Sequence, residues 1–549
     1  MEHFDLDHYG RLRDLPNEVI AREFRWQVPE RLNAGIEVCD RHAEAGLGLA
    51  MRWMGADGSI RDFSYGDLRA ASNRVANLLS NLGVREGDFV FTVLPRVPEH
   101  WIVLIGAMKV GAVVSCLSTT FGTDAIAVRV ADARPRVVFT NARQRDRVAP
   151  AAAAAGALVI EVDDDGPGGL HDRMDAASDE YSPLLRASAD PAFLYFTSGT
   201  TGPPKGSLHG SDQLAGGLAL MATSLDLRPD DIFWPTSDLG WVTGVLLTFS
   251  ALCQATPFRT LESDFDAERW WRILECEQVT NFFTVPTAYR MLRADEGIVE
   301  RDGLRFAVRR LGSVGEPLDP ATLAWGQERF GAGMFELYGQ TEHGGGACCQ
   351  RPFWPVRPGS LGKPLPYLTV ALLGADGHEV PTGEEGEIAT RADYPALFKG
   401  YLSQPEKTRE TLRGDGWHRT GDLAHQDADG YVWYHARADD VISSGGYRIG
   451  PAEVENALLD HPAVHEAAVV GKPDEQRGQI VKAWVVLRPG VRGDETLIAE
   501  LQQHCKARAG GWNYPREVEF LTELPRTATG KVRRVELREI DAQRAAARS

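Results

Sequence analysis

Phe196-Thr197-Ser198-Gly199-Thr200-Thr201-Gly202-Pro203-Pro204-Lys205-Gly206 continues an apolar strand, Phe193-Leu194-Tyr195-Phe196, into a run of hydroxyls, glycines and one lysine. Glycines at such a turn let backbone N–H groups approach phosphate oxygens closely, and Lys205 adds a positive charge. A P-loop requires Gly directly before Lys, and Pro204 holds that position here, so a P-loop ATPase is disfavoured. The prolines instead stiffen a flap. Far downstream, Leu524-Pro525-Arg526-Thr527-Ala528-Thr529-Gly530-Lys531 sets a basic residue on a glycine hinge. Together the two stretches predict phosphate chemistry divided between two domains.

Outward from the loop, strands and helices alternate. Leu68, Ala71, Val75, Leu78, Leu79 and Leu82 have helical spacing, with Gly83 where a left-handed cap is wanted. A strand over Phe89 to Leu94, a proline-started helix from Pro98 to Met108, a strand at Ala112 to Leu117, a helix from Asp124 and a strand at Arg136 to Thr140 follow. The alternation predicts parallel sheet. Ala149 to Ala155 reads as a short surface helix and Asp163 to Gly169 as a loop. A second alternating stretch runs from Pro191 to about Phe335, after which glycine and proline become dense and predict a smaller β-rich body. The last hundred or so residues read as separate: a Pro451-started helix, strands at Ala467 to Val470 and Ala483 to Leu487, and a helix near Thr496 to Lys506. The boundary falls near Asp439, giving domains 1–438 and 439–549.

A chain of 549 residues exceeds one ordinary core, and 43% hydrophobic with 25% charged residues is a globular composition. The formal charge of −18 argues against a nucleic-acid partner, so anionic substrates must be held by a few local cations and backbone dipoles. Seven cysteines without a C-x-x-C pair suit free thiols in a reducing compartment. The acidic start, Met1-Glu2-His3-Phe4-Asp5, lacks the apolar core of a secretory signal, so the expected location is the cytoplasm. Trp101 to Leu117 is the most membrane-like stretch, but Lys109 interrupts it, and helix-turn-strand is the better reading.

The Phe196–Gly206 loop matches the signature of the adenylate-forming superfamily of acyl-CoA synthetases, adenylation domains and luciferases. The other motifs occur in that family's order from about Leu49 to Leu537, and the details most resemble the acetyl-CoA and medium-chain acyl-CoA synthetase branch. The resemblance implies a large N-terminal domain of α/β subdomains plus a β-rich subdomain, and a small mobile α+β C-terminal domain. It assigns Thr197, Ser198, Gly199, Thr200, Thr201 and Lys205 to the ATP phosphates. Gly315, Glu316 and Pro317, within Leu311 to Pro317, resemble the adenine-side wall. In Glu336-Leu337-Tyr338-Gly339-Gln340-Thr341-Glu342, Thr341 would contact the α-phosphate and Glu342 would help hold Mg²⁺. Asp422 resembles the residue that accepts the ribose hydroxyls, Arg437 and Arg448 the phosphate-facing arginines, and Asp439 the hinge. Lys531 matches the catalytic lysine that bridges carboxylate and α-phosphate, where opposing negative charges must be offset.

The reaction so implied is carboxylate plus ATP to acyl-adenylate and pyrophosphate, then attack by the thiol of coenzyme A to give acyl-CoA and AMP. For that second step the Gly445-Gly446-Tyr447 strand would border a pantetheine tunnel, with Gly445 where relatives often carry Ser, and Lys506 would reach a CoA phosphate. Trp241, Val242, Thr243, Val314 and Gly339 would line the acyl pocket. Acetate-specific relatives carry Trp at the position of Gly339, so this chain is expected to favour short- to medium-chain or small aryl acids. Acetate-CoA ligase, transfer to a carrier-protein thiol and a nucleotide-binding regulatory protein stand as alternatives. The family's catalytic lysine is a target of acetylation, so a lysine acetyltransferase acting on Lys531 is a further expected partner.

Overall fold

The computed structural model describes residues 2–164, 166, 168–197, 204–351, 353–438, 440–444, 447–474, 476–509, 514–526 and 532–546. They fall into two compact units, the first from residues before 198, 204–369 and 390–418, the second from 370–389 and residues from 419 onward.

The first unit contains two large sheets. In the seven-stranded one the order is Gly400–Tyr401, Lys205–Gly210, Pro191–Thr197, Val113–Cys116, Phe89–Thr92, Val137–Thr140 and Leu158–Glu161. Phe89–Thr92 pairs in parallel with Val113–Cys116 and Val137–Thr140. Such pairs need crossovers, which Pro98–Val110 and Thr123–Ala133 supply. Pro98 sits in the first turn of its helix and Gly111, at φ 85°, ends it in the left-handed conformation open to glycine. Every side of this helix is buried because sheet and neighbouring helices enclose it, and Lys109 is tolerated there only through partners. Its ammonium lies 2.6 Å from Asp40 and donates to Ser72 and Asn73 at 2.8 and 2.7 Å. The helix-turn-strand reading therefore holds, and no helix among the described residues is long and apolar enough to cross a membrane.

The nine-stranded sheet has at its centre the parallel strands Phe233–Pro235, Asn281–Thr284, Arg310–Val314 and Gly333–Tyr338. The turns that leave the last two carry Gly315 and the Gln340–Glu342 segment, at the carboxyl ends where open α/β sheets hold ligands.

Two expectations change. The alanine run belongs to a longer helix, Ala142–Ala155, because Asn141 caps it well upstream by accepting the Gln144 N–H; Ala151 and Ala152 are buried rather than on the surface. In the second unit, Val464–Asp474 and Gly478–Leu487 form a much longer hairpin than expected. Val464, Val469, Val481 and Val485 join one apolar cluster and Ala468, Val470, Trp484 and Val486 another, so both faces are covered. Interspersed His465, Glu466 and Lys472 hide that from a local reading. The final helix Arg534–Ala546 closes the second cluster through Leu537. The β-rich body expected after Phe335 is the four-stranded sheet ordered Val370–Leu373, Glu385–Arg391, Trp417–Gln426 and Val432–Arg437. All seven cysteines are free thiols.

Candidate active site

In the first unit the phosphate loop leaves one strand and returns on its antiparallel neighbour, with Thr197 opposite Lys205. Ser198, Gly199, Thr200 and Thr201 lie outside the described residues. The Lys205 ammonium lies 4.6 Å over the ring of Tyr401 and 3.4 Å from its hydroxyl. That hydroxyl donates to Glu342 Oε1 at 2.6 Å. Tyr401 stands beside Lys205 because Gly400–Tyr401 pairs with Ser207 and Leu208. Glu342 is fixed from its other end by the Phe398 N–H, which donates to the Glu342 carbonyl at 2.9 Å. An ammonium and a buried carboxylate thus share one hydroxyl, with Thr341 beside them in the short turn Thr341–His343.

His343, the last residue of this turn, has His418 and His209 as neighbours. His343 Nδ1 accepts the Gln340 N–H at 3.0 Å, and the His418 ring meets His343 edge-on with centroids 4.9 Å apart. Both ring nitrogens of His418 and Nε2 of His343 are buried without a hydrogen-bond partner among the described residues. Burial pushes His418 down to about 4 against the pull of the Glu342 charge, and His209 down to about 3. His343 falls well below its ordinary range for the same reason. These imidazoles are neutral at physiological pH and keep cationic competition away from Glu342.

On the expected adenine side, Gly315 has φ 92°, a conformation that favours glycine. Glu316 is occupied: Thr287 Oγ1 donates to it at 2.7 Å and Arg290 at 3.0 Å. Glu336 accepts the Leu318 N–H at 3.1 Å next to Pro317, and burial pushes its carboxyl up to about 8. It is therefore held as the neutral acid.

The expected acyl residues divide. Val314 packs against Leu220, Leu246, Leu337 and Leu365, while Trp241 joins a different apolar cluster and meets Phe121 edge-on at 5.7 Å. Val242 opens the helix Val242–Cys253 and packs with Val314 on the large core; Thr243 follows it, half-buried. At Gly339, a Cβ would stand 2.9 Å from the Gly345 carbonyl oxygen and 3.0 Å from Gly346 Cα. Backbone, rather than open space, lies where the missing side chain would begin.

In the second unit, Asp422 and Arg437 face each other across an antiparallel pair, with Arg437 donating to Asp422 Oδ1 at 3.3 Å and to the Thr420 carbonyl at 3.1 Å. The turn before Asp422 is held by the Gly421 N–H donating to Glu387 at 2.9 Å and by Thr420 Oγ1 donating to the Ile388 carbonyl at 2.7 Å. Tyr447 and Arg448 belong to the strand Tyr447–Ile449. Lys506, exposed, holds its ammonium 4.3 Å over the Tyr514 ring. Asp439, Gly445, Gly446 and Lys531 lie outside the described residues. Sequence reasoning missed Tyr401 and the three histidines. Only His418 carried a local signal, in the stretch Trp417-His418-Arg419-Thr420-Gly421-Asp422 that resembles the family's ribose motif.

The chain matches the family described as AMP-binding enzyme over residues 48–402, and the AMP-binding enzyme C-terminal domain over residues 453–531. It is 36% identical to a mitochondrial acyl-coenzyme A synthetase of Mus musculus, over 95% of this chain and 92% of that one. It is 34% identical to an acetyl-coenzyme A synthetase of Bacillus subtilis, over 92% and 90% respectively. Among solved structures, an acyl-CoA synthetase of Brucella canis is 36% identical, with TM-score 0.74 over 99% of this chain and all of that one. A benzoate CoA ligase of Burkholderia xenovorans is 27% identical, with TM-score 0.83 over 92% of this chain and all of that one.

Proposed function

We propose, for a chain that belongs to the AMP-binding enzyme family, an AMP-forming acyl-CoA synthetase: an acid-thiol ligase that joins a carboxylate to ATP, releases pyrophosphate, and passes the acyl group to coenzyme A with release of AMP. The observation that carries this reading is the Lys205–Tyr401–Glu342 chain. It supplies an ammonium for phosphate oxygens and a hard carboxylate oxygen for Mg²⁺ at one place, below the turn that bears Thr341. The donor set fits Mg²⁺; Glu342 would hold the ion, which offsets phosphate charge when bound.

In this reading Thr341 contacts the α-phosphate, Asp422 receives the ribose hydroxyls, and Arg437 and Arg448 face the phosphates. Arg437 already lies against Asp422, so the ribose carboxylate is oriented before nucleotide arrives. Lys531 offsets the charge that develops between the acyl carboxylate and the α-phosphate, and no general base is needed because the carboxylate is itself the nucleophile. The C-terminal part, beginning at Asp439, presents Lys531 for the first half-reaction and the 445–447 segment for the second, with Lys506 toward a CoA phosphate.

The acid is short- to medium-chain or a small aryl acid, and the apolar cluster of Val314, Leu220, Leu246 and Leu337 supports this by offering methylene-sized contacts worth about 0.8 kcal/mol each. We place the activity in the cytoplasm. The test is a panel of carboxylic acids assayed for ATP- and CoA-dependent AMP formation. Butyrate or hexanoate should exceed acetate in kcat/KM; acetate in front would overturn the pocket assignment. AMP release that continues only with a carrier-protein thiol would overturn the acceptor.

A further inference from the structure

Apart from these residues, the four-stranded sheet of the second unit carries Glu385, His425 and His435 on three neighbouring strands, Glu385–Arg391, Trp417–Gln426 and Val432–Arg437. Nδ1 of His425 lies 2.7 Å from Nε2 of His435. On the far side of the same ring, Nδ1 of His435 lies 2.9 Å from Glu385 Oε2. The chain is accessible, the side chains of His435 and Glu385 being 22% and 36% exposed.

The carboxylate decides the tautomer. Glu385 can only accept when ionised, so His435 gives it the Nδ1 proton and is left with a lone pair on Nε2. One proton then stands between the two ring nitrogens, 2.7 Å apart.

The geometry points to a divalent transition-metal site, in which copper(II) or nickel(II) replaces that proton and takes Nδ1 of His425 and Nε2 of His435 as adjacent ligands, with water completing the coordination. Two imidazole nitrogens at about 2.0 Å from one ion stand about 2.8 Å apart in square-planar coordination and about 3.3 Å apart in tetrahedral. The observed 2.7 Å, a hydrogen-bond separation, is nearer the first, so a square-planar ion requires the smaller adjustment of the two rings. Glu385 is the carboxylate behind the ligand that metal-binding histidines characteristically have, where it fixes the ring and raises its basicity. No electron moves: the ion binds and one proton leaves to solvent. Trp433, whose ring lies near-parallel to His425 with centroids 6.3 Å apart, is placed to report the ion through fluorescence quenching.

The experiment titrates nickel(II) chloride into the untagged full-length protein by calorimetry, in two buffers of different ionisation enthalpy. Expected are one tight site, net release of a proton, and affinity at least tenfold lower in His435→Gln. Glu385→Gln should weaken binding about 10- to 100-fold while both ligands remain. Metal-free thermal unfolding of each variant separates loss of ligand from loss of fold. Unchanged nickel affinity in both variants, an equal loss from His504→Gln at the separate His461–His504 pair, or tighter binding of zinc than of nickel would overturn the assignment.

Discussion

Tyr401 is the side chain through which Lys205 and Glu342 communicate: the ammonium lies over its ring and beside its hydroxyl, and that hydroxyl donates to Glu342. Tyr401→Phe keeps the ring under Lys205 and removes the hydrogen bond to the carboxylate. A hydrogen bond to a charged group contributes about 1.5–3 kcal/mol, so kcat/KM for ATP should fall roughly 10- to 150-fold while the fold is retained, as pyrophosphate release and thermal unfolding would show. Glu336 makes a different prediction. Its carboxyl is raised from 4.5 to about 8, so between those values the native state holds a proton that the unfolded chain has released. Stability is therefore fully present below pH 4.5 and is lost as pH rises through about 8, by at most about 1.4 kcal/mol per pH unit. Glu336→Gln, which can still accept the Leu318 N–H, should flatten that loss; parallel denaturation profiles for both proteins from pH 5 to 9 would contradict the buried neutral acid. At this scale the sequence was uneven. Glu342 and Asp422 were legible as strings with a known order, whereas Tyr401 reaches its place through strand pairing to Ser207, a partner far away in the chain that no local pattern encodes. Glu336 was legible as a position, but its protonation depends on enclosure by side chains from elsewhere. Gly339 is a different case: its missing side chain reads as room for the acid, and the sequence does not show that a Cβ there would meet the Gly345–Gly346 backbone.

Among elements, the final helix depends on a buried cation. Lys482, in the strand Gly478–Leu487, has a side chain 2% exposed and donates to Glu519 at 2.8 Å and to Asp541 at 2.6 Å. Asp541 belongs to Arg534–Ala546 and Glu519 to Glu517–Leu521, so one ammonium ties helix and strand to the sheet. Its ring contact with Trp484, at 4.0 Å, closes the remaining side. Removing it takes this partner from the buried Asp541 carboxylate, while Glu519 keeps Arg544, and Lys482→Ala should cost about 3–5 kcal/mol in denaturant unfolding. A cost below about 1 kcal/mol would show that apolar contacts through Leu537 suffice. Helices and strands with regular periodicity, such as Tyr65–Asn81, followed by Gly83 at φ 81°, were legible from sequence, though the Ser64–Asp67 capping box was not read there. The long hairpin was not, because a strand buried on both faces and edged by charged residues loses the alternation by which strands are recognised.

The whole molecule joins two units with separate apolar cores, the second built around Ile442, Val454, Leu458 and the hairpin valines. That division suits an enzyme whose two half-reactions need different groups. With a formal charge of −18, binding of anionic ATP and CoA has to rest on a few placed cations, so single lysines carry large effects. Lys531 is the sharpest case. The most direct measurement follows both half-reactions in Lys531→Ala: acyl-adenylate formation from acid and ATP, and thioester formation from supplied acyl-adenylate and CoA. Adenylation should be abolished with thioester formation largely intact; equal loss of both would contradict a lysine that serves only the first.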